Sequence, residues 1–248
     1  MSLKLAKNLS RNYSINFDLP KRSKKKIIFL VLHYTGMRKE SEAIKRLCDY
    51  KSKVSSHYLI KNNGQIVNIV PDLYIAWHAG ISQWKKFQSL NKYSIGIEIS
   101  NPGHDHSYRK FKSRQISSLI KLLQYLTKKY RIKKQNVLGH SDISPNRKKD
   151  PGEKFPWQKL AIKNLCVWHC LEQRELKKNR NLIINKYEEK KFFKNLHYFG
   201  YPKIEKKKYK IGKINLIKSF QRKFRQTLIN GKIDKECLLI SKNLLKFK

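Results

Sequence analysis

The chain has 248 residues, of which 40% are hydrophobic and 11% aromatic, and 57 Lys and Arg against 17 Asp and Glu give a formal charge of +40. That apolar content suffices for a core and excludes a disordered tail protein, while four cysteines (Cys48, Cys166, Cys170, Cys237) are too sparse for a disulfide scaffold. The longest apolar run, residues 27–32, falls far short of the ~20 residues that span a bilayer, and a length at roughly 100–200 residues per domain allows one large unit or a large and a small one.

Residues 1–24 are polar and basic and read as an irregular lead-in; they show no apolar h-region, so no Sec-type signal is expected. Residues 27–34 (IIFLVLHY) form a continuous, β-branched apolar run that suits a buried central strand. A short helix is expected over 41–50, with Ala43, Ile44 and Leu47 on one face. Residues 56–60 and 65–70 flank the turn Lys61-Asn62-Asn63-Gly64 and read as a hairpin. Residues 93–100 (YSIGIEIS) are another strand, and 113–130 repeat Ile116, Leu119, Ile120, Leu123 and Leu126 at helical spacing. A short strand over 136–140 (NVLGH) precedes a polar loop, then a helix over 155–165 with Pro156 near its first turn. Interleaved strands and helices favour an α/β sheet covered by helices. Residues 171–187 are highly charged and read as a linker or solvent-facing helix, and three helical segments within 188–248 make a small all-α unit.

Several ionisable residues fall at ends of expected strands, where a sheet exposes its functional edge. These are His33, Glu98 and His140, with Asp150 following in the loop after His140. Two histidines and a carboxylate with a fourth position open are sufficient for catalytic zinc. A carboxylate off the metal can then act as general base, and Lys148 can face a developing oxyanion. Glu98 in an apolar strand is costly unless paired or functional; Asp150 before Pro151-Gly152 also suits a turn.

LVLHYTG, SSHYLI, AWHAG, YSIGIEISN and GHSDISPNRKKDPGEKFPW occur in that order. Together, over roughly residues 25–165, they closely resemble the zinc-dependent N-acetylmuramoyl-L-alanine amidases of the type-2 family, which share a fold with phage T7 lysozyme and peptidoglycan recognition proteins. The resemblance implies a central mixed β-sheet flanked by helices and one Zn2+ per chain. It places the metal ligands on His33, His140 and Asp150, the catalytic glutamate on Glu98 and the oxyanion-stabilising lysine on Lys148. His57, Trp77 and His78 match positions that line the substrate groove, with Asn101 a further candidate for holding the peptide stem; for His57 a core histidine inside the sheet, and for Trp77 core packing, are the other readings. Within 188–248, FFKNLHYFGYP, LIKSFQRKFRQ and NGKIDKECLLISKNLL resemble the peptidoglycan-binding type-1 domain, a three-helix module, with Asn230 standing where that pattern has Asp. A helical cap on the catalytic part is the alternative.

The implied domains are a lead-in (1–24), a zinc amidase domain (25–170), a charged linker (171–187) and the helical module (188–248). The expected activity is hydrolysis of the amide between N-acetylmuramic acid and L-alanine in peptidoglycan or muropeptides, by a monomer without a transmembrane segment. A non-catalytic peptidoglycan receptor is the alternative. Nucleic acid is a remote one, since the basic residues are 45 Lys to 12 Arg and Arg is the better phosphate fork. The basic groups also divide evenly, 34 against 10 acids in 1–165 and 23 against 7 in 166–248, so the charge reads as nonspecific attraction to anionic envelope polymers or as no partner at all. The helical module favours the periplasm or envelope; the absent signal favours the cytoplasm. Cys166, His169 and Cys170 are poorly spaced for structural zinc and read as helix packing.

Overall fold

An apolar run such as 27–34 is stable only when both faces of its strand are covered. In the computed structural model, which describes residues 9–204 and 209–247, that run sits inside a six-stranded mixed sheet. In chain order the elements are β1 (Leu9–Arg11), β2 (Phe17–Asp18), β3 (Phe29–Tyr34), α1 (Glu40–Cys48), β4 (Tyr58–Ile60), β5 (Ile66–Asn68), β6 (Ile75–Ala76), β7 (Gln83–Trp84), β8 (Phe87–Gln88) and β9 (Ser94–Ile99). They are followed by α2 (Ser113–Tyr130), β10 (Val137–Gly139), α3 (His140–Ile143), α4 (Trp157–Ile162), α5 (Gln173–Asn179), α6 (Lys186–Phe199), α7 (Tyr209–Phe224) and α8 (Lys235–Leu244). The main sheet runs β1-β5-β4-β9-β3-β10. Only the expected hairpin, β4 with β5, is antiparallel; the other pairings are parallel. The expected α/β class, with helices following it, is what the chain adopts.

Side chains alternate between the faces of a strand, and here each face has its own core. Leu30, Leu32, Ile95, Ile97 and Ile99 pack with Ile116, Leu119, Leu123 and Leu126 of α2 and with Trp157 and Leu160 of α4. Phe29, Val31 and Leu138 point the other way, into a cluster with Phe192, Leu196 and Phe199 of α6, Leu216 and Phe220 of α7 and Ile240 of α8. The C-terminal helices therefore cover one face of the main sheet. Between β7 and α6 the fit depends on Gly200: its φ of +144° disfavours other residues, and an added Cβ would stand 2.4 Å from the Trp84 ring.

Two segments differ from the sequence expectation. The lead-in contributes β1, which extends the sheet parallel to β5, and β2, which pairs with β6; residues 1–8 lie outside the described residues. Backbone hydrogen bonds hold this segment, with the Asn12 and Ser14 amides donating to the carbonyls of Asn68 and Ile69, so no apolar pattern marks it. In the charged 171–187 stretch, α5 buries Leu176, and Arg180 makes a bidentate pair with Glu236 of α8 at 2.7 Å through both nitrogens. No helix among the described residues is long and apolar enough to cross a membrane.

Asp72, after β5, ties the sheet to α2. Its buried carboxylate accepts from Tyr58 Oη and Tyr130 Oη, both at 2.6 Å, and from Lys129 Nζ at 2.7 Å. Burial alone would raise its pKa, but bonds from Lys129, Tyr130 and Tyr58 outweigh this and hold it below the ordinary value. A folded pKa below the unfolded one contributes stability above the unfolded pKa, about 3.9, that is lost as the pH falls. Asp72→Ala is expected to cost about 3 kcal/mol at pH 7, because two buried hydroxyls and an ammonium lose their acceptor. Urea unfolding at pH 7 and pH 3 checks this, with a smaller difference from the unmodified chain at pH 3.

Candidate metal centre

The register of the parallel strands places the reactive residues. His33 pairs with Glu98 across β3 and β9, and Leu32 pairs with Gly139 across β3 and β10, so His140 follows at the level of His33. Alternation puts all three on the face that carries Phe29, Val31 and Leu138. The loop after α3 brings Asp150 back, where the Ser141 amide donates to the Asp150 carbonyl at 2.9 Å. His33 Nδ1 and His140 Nδ1 stand 2.9 Å apart, and each lies 3.0 Å from Asp150 Oδ2. All three residues are buried.

The hydrogen-bond partners fix where the imidazole protons are. His140 Nε2 lies 3.0 Å from the Ala79 carbonyl, which can only accept, so Nε2 carries a proton and, in the neutral ring, Nδ1 a lone pair. The His33 tautomer is set through two further residues. Ser94 Oγ donates to the Leu90 carbonyl at 2.6 Å and so accepts from His78 Nε2 at 3.2 Å. His78 Nδ1 is then the acceptor for His33 Nε2 at 3.1 Å, which leaves His33 Nδ1 unprotonated as well. Burial, and next the neighbouring His140, lower the His33 pKa to about 4, and burial with the nearby His33 takes His78 well below its ordinary value. With both rings neutral, two nitrogen lone pairs and a carboxylate oxygen converge, an arrangement suited to holding a cation. Two imidazoles and one carboxylate are a zinc-type donor set, and their spacing is within a few tenths of an ångström of the edge that bonds of about 2.0–2.1 Å set in a tetrahedron.

The ligands open into a cleft of about 540 Å³ lined by Tyr34, Trp77, Glu98, Arg46 and Lys148, among others. Glu98 Oε2 is buried and has no hydrogen-bond partner among the described residues. Burial first, then Asp150, raise the Glu98 pKa well above the ordinary value, and Lys148 pulls it back. Trp77 is half-buried at the rim, its Nε1 donating to Asp18 Oδ1 at 2.7 Å, so the lead-in fixes one wall.

Of the other sequence candidates, His78 borders the cleft but bonds to His33 from behind. His57 is fully buried in the sheet: Nδ1 accepts from the Gly96 amide at 3.0 Å, and Nε2 donates to the Tyr74 carbonyl at 3.0 Å. Burial and the adjacent Arg22 charge drop its pKa to about 3. Asn101 is also buried, and it braces its own loop, accepting from the Gly103 amide at 3.1 Å and donating to the Arg109 carbonyl at 2.9 Å. The supports from Ser94 and the Ala79 carbonyl carry no motif of their own in the sequence. The small residues Ser94 and Gly96 alternating on one face of YSIGIEIS, beside AWHAG, were the available signal: an added Cβ on Gly96 would stand 2.4 Å from the His78 ring.

Residues 23–153 match the family described as N-acetylmuramoyl-L-alanine amidase. The N-acetylmuramoyl-L-alanine amidase AmiD of Escherichia coli (strain K12) is 35% identical over 236 residues, covering 89% of this chain and 83% of AmiD. The 1,6-anhydro-N-acetylmuramyl-L-alanine amidase AmpD of Haemophilus influenzae is 39% identical over 111 residues, 44% of this chain and 58% of AmpD. Among solved structures, E. coli AmiD in complex with the substrate anhydro-N-acetylmuramic acid-L-Ala-D-γ-Glu-L-Lys has a TM-score of 0.79 at 32% identity, covering 92% of each chain. AmpDh3 of Pseudomonas aeruginosa has a TM-score of 0.76 at 28% identity, covering 92% of this chain and 95% of that one.

The seat of His78 generates a test. Gly96→Ala forces the ring off its place and is expected to destabilise the fold by about 2 kcal/mol, in the range of core overpacking. A urea titration of the purified variant checks the value.

Proposed function

The chain belongs to the N-acetylmuramoyl-L-alanine amidase family, and on that premise we propose that it is a zinc enzyme cleaving the amide between N-acetylmuramic acid and L-alanine in peptidoglycan or muropeptides. The observation that carries this reading is the meeting, in one cleft, of three buried metal-type donors with a carboxylate oxygen that has no hydrogen-bond partner among the described residues. The substrate held by AmiD in its solved complex is of the same chemical class.

His33, His140 and Asp150 would hold the ion. When bound, zinc supplies Lewis acidity, polarising a carbonyl and acidifying a water at its open position. Glu98, poised by burial toward a higher pKa, takes a proton from the attacking water and returns it to the amine of L-alanine as the amide C–N bond breaks. Lys148 sets its ammonium against the oxyanion that develops on the lactyl carbonyl. Trp77 offers an aromatic face to the sugar or the first peptide residues. His57, His78 and Asn101 act behind the cleft, keeping strand, ligand and loop in place. The helical module over 188–248 is read as a holder of cell-wall polymer, with faster digestion of intact sacculi than of soluble muropeptides as its expected signature.

Mass spectrometry of muropeptide digests tests the reaction: L-alanine-terminated stem peptide is released, a chelator stops release and zinc restores it. Glu98→Ala is expected to retain zinc and lose about 10²- to 10⁴-fold in kcat, whereas His33→Ala loses zinc and activity together. Full turnover in Glu98→Ala would overturn the base assignment, and binding without release of stem peptide would mark a receptor instead.

A further inference from the structure

The C-terminal helices reach the turn that carries His140 through a buried, charged joint. Asp142, two residues along α3, accepts at Oδ2 from the Gly139 amide at 2.8 Å and from Lys223 Nζ of α7 at 2.6 Å. Its Oδ1 accepts from Tyr201 Oη at 2.8 Å. Ser219 of α7 donates to the Ser141 carbonyl at 2.7 Å. Asp142, Tyr201, Ser219 and Lys223 are all buried, and the Lys223 ammonium lies 4.3 Å from the Trp157 ring centroid.

A four-residue helix cannot hold its own geometry, since a single turn is the costly nucleus of helix formation. A buried ammonium–carboxylate pair is also a poor way to gain stability alone, because apolar residues of similar volume do as well or better. The same turn is tied to Asp150 by its Ser141 amide, so its position governs two of the three donors. We propose that α7 is a positioning element for the metal centre: Lys223 and Ser219, with Tyr201 beside them, hold residues 139–142 so that His140 and Asp150 meet His33. The proposal rests on the reading of His140 and Asp150 as metal ligands.

The test uses the full-length chain and its Ser219→Ala, Lys223→Met and Asp142→Asn/Lys223→Met variants, the last removing both charges together. Zinc affinity is measured by competition with a chromophoric chelator, ligand geometry by the visible spectrum of the cobalt-loaded protein, and folding by urea titration of the metal-free protein. Support consists of zinc binding weakened by about 10- to 100-fold, the range seen when groups behind metal ligands are removed, with an altered cobalt spectrum, in variants that still fold. The double variant matters most, because it leaves no orphaned charge: folded but weak in zinc, it separates positioning from stability. Should Lys223→Met fail to fold, Ser219→Ala and the double variant decide. Variants with lower urea midpoints but unchanged zinc affinity and cobalt spectrum would overturn the proposal, leaving α7 as a cover for the sheet. An unmodified chain that binds no zinc would instead overturn the metal reading, and the positioning role with it.

Discussion

Parallel pairing of β3 with β9 and β10, in one fixed register, decides where His33, Glu98 and His140 stand. His33 lies opposite Glu98, and Leu32 opposite Gly139, so three groups from strands far apart in sequence arrive at one sheet end and on one face. A slip of one residue would turn His33 into the α2 core and bring Leu32 or Tyr34 out in its place. The apolar side chains that forbid such a slip, Phe29 and Val31 on one face and Leu30 and Leu32 on the other, belong to two separate cores. Packing on both faces therefore guards the chemistry at the strand end.

The second organising factor is how a chain with 57 basic groups uses its 17 acids. Asp72, Asp142, Asp150, Asp234 and Glu236 are all buried. Each answers a local need: hydroxyls and an ammonium at Asp72, the turn bearing His140 at Asp142, the two imidazoles at Asp150, and the arginines just past α5 and α7 at Asp234 and Glu236. Withdrawing acids into the interior leaves the water-facing surface more cationic than the composition alone suggests. Within the candidate metal centre the same economy of partners appears behind the rings, with a carbonyl behind His140 and a His–Ser–carbonyl sequence behind His33.

The meeting of His33, His140 and Glu98 was legible in the sequence because they stand at the ends of strands whose apolar runs are unmistakable, and Asp150, in a loop, joins them through five motifs that agree in order. The surroundings were less so. A motif states that a histidine stands at 57 or 78 without saying which way the ring points, and here one ring is locked into the sheet and the other stands behind His33. The lead-in strands were invisible because β1 and β2, at three and two residues, are too short to carry an apolar period. The joint between Asp142 and Lys223 was hidden for a different reason: in sequence each is one more charge among many, and only folding takes the pair out of water. The parts held by long-range polar contacts, rather than by periodic apolar burial, are those that a linear reading does not reach.

The cover over Phe29, Val31 and Leu138 has a consequence for how the chain is made. The strand bearing His33 leaves the ribosome well before the helices that complete the cover of its face. Until those helices emerge, a growing chain therefore presents a greasy, partly shielded sheet surface, a state exposed to self-association. Cutting the gene after the catalytic motifs would make that state permanent. In this chain the reactive region and its helical tail mature as one.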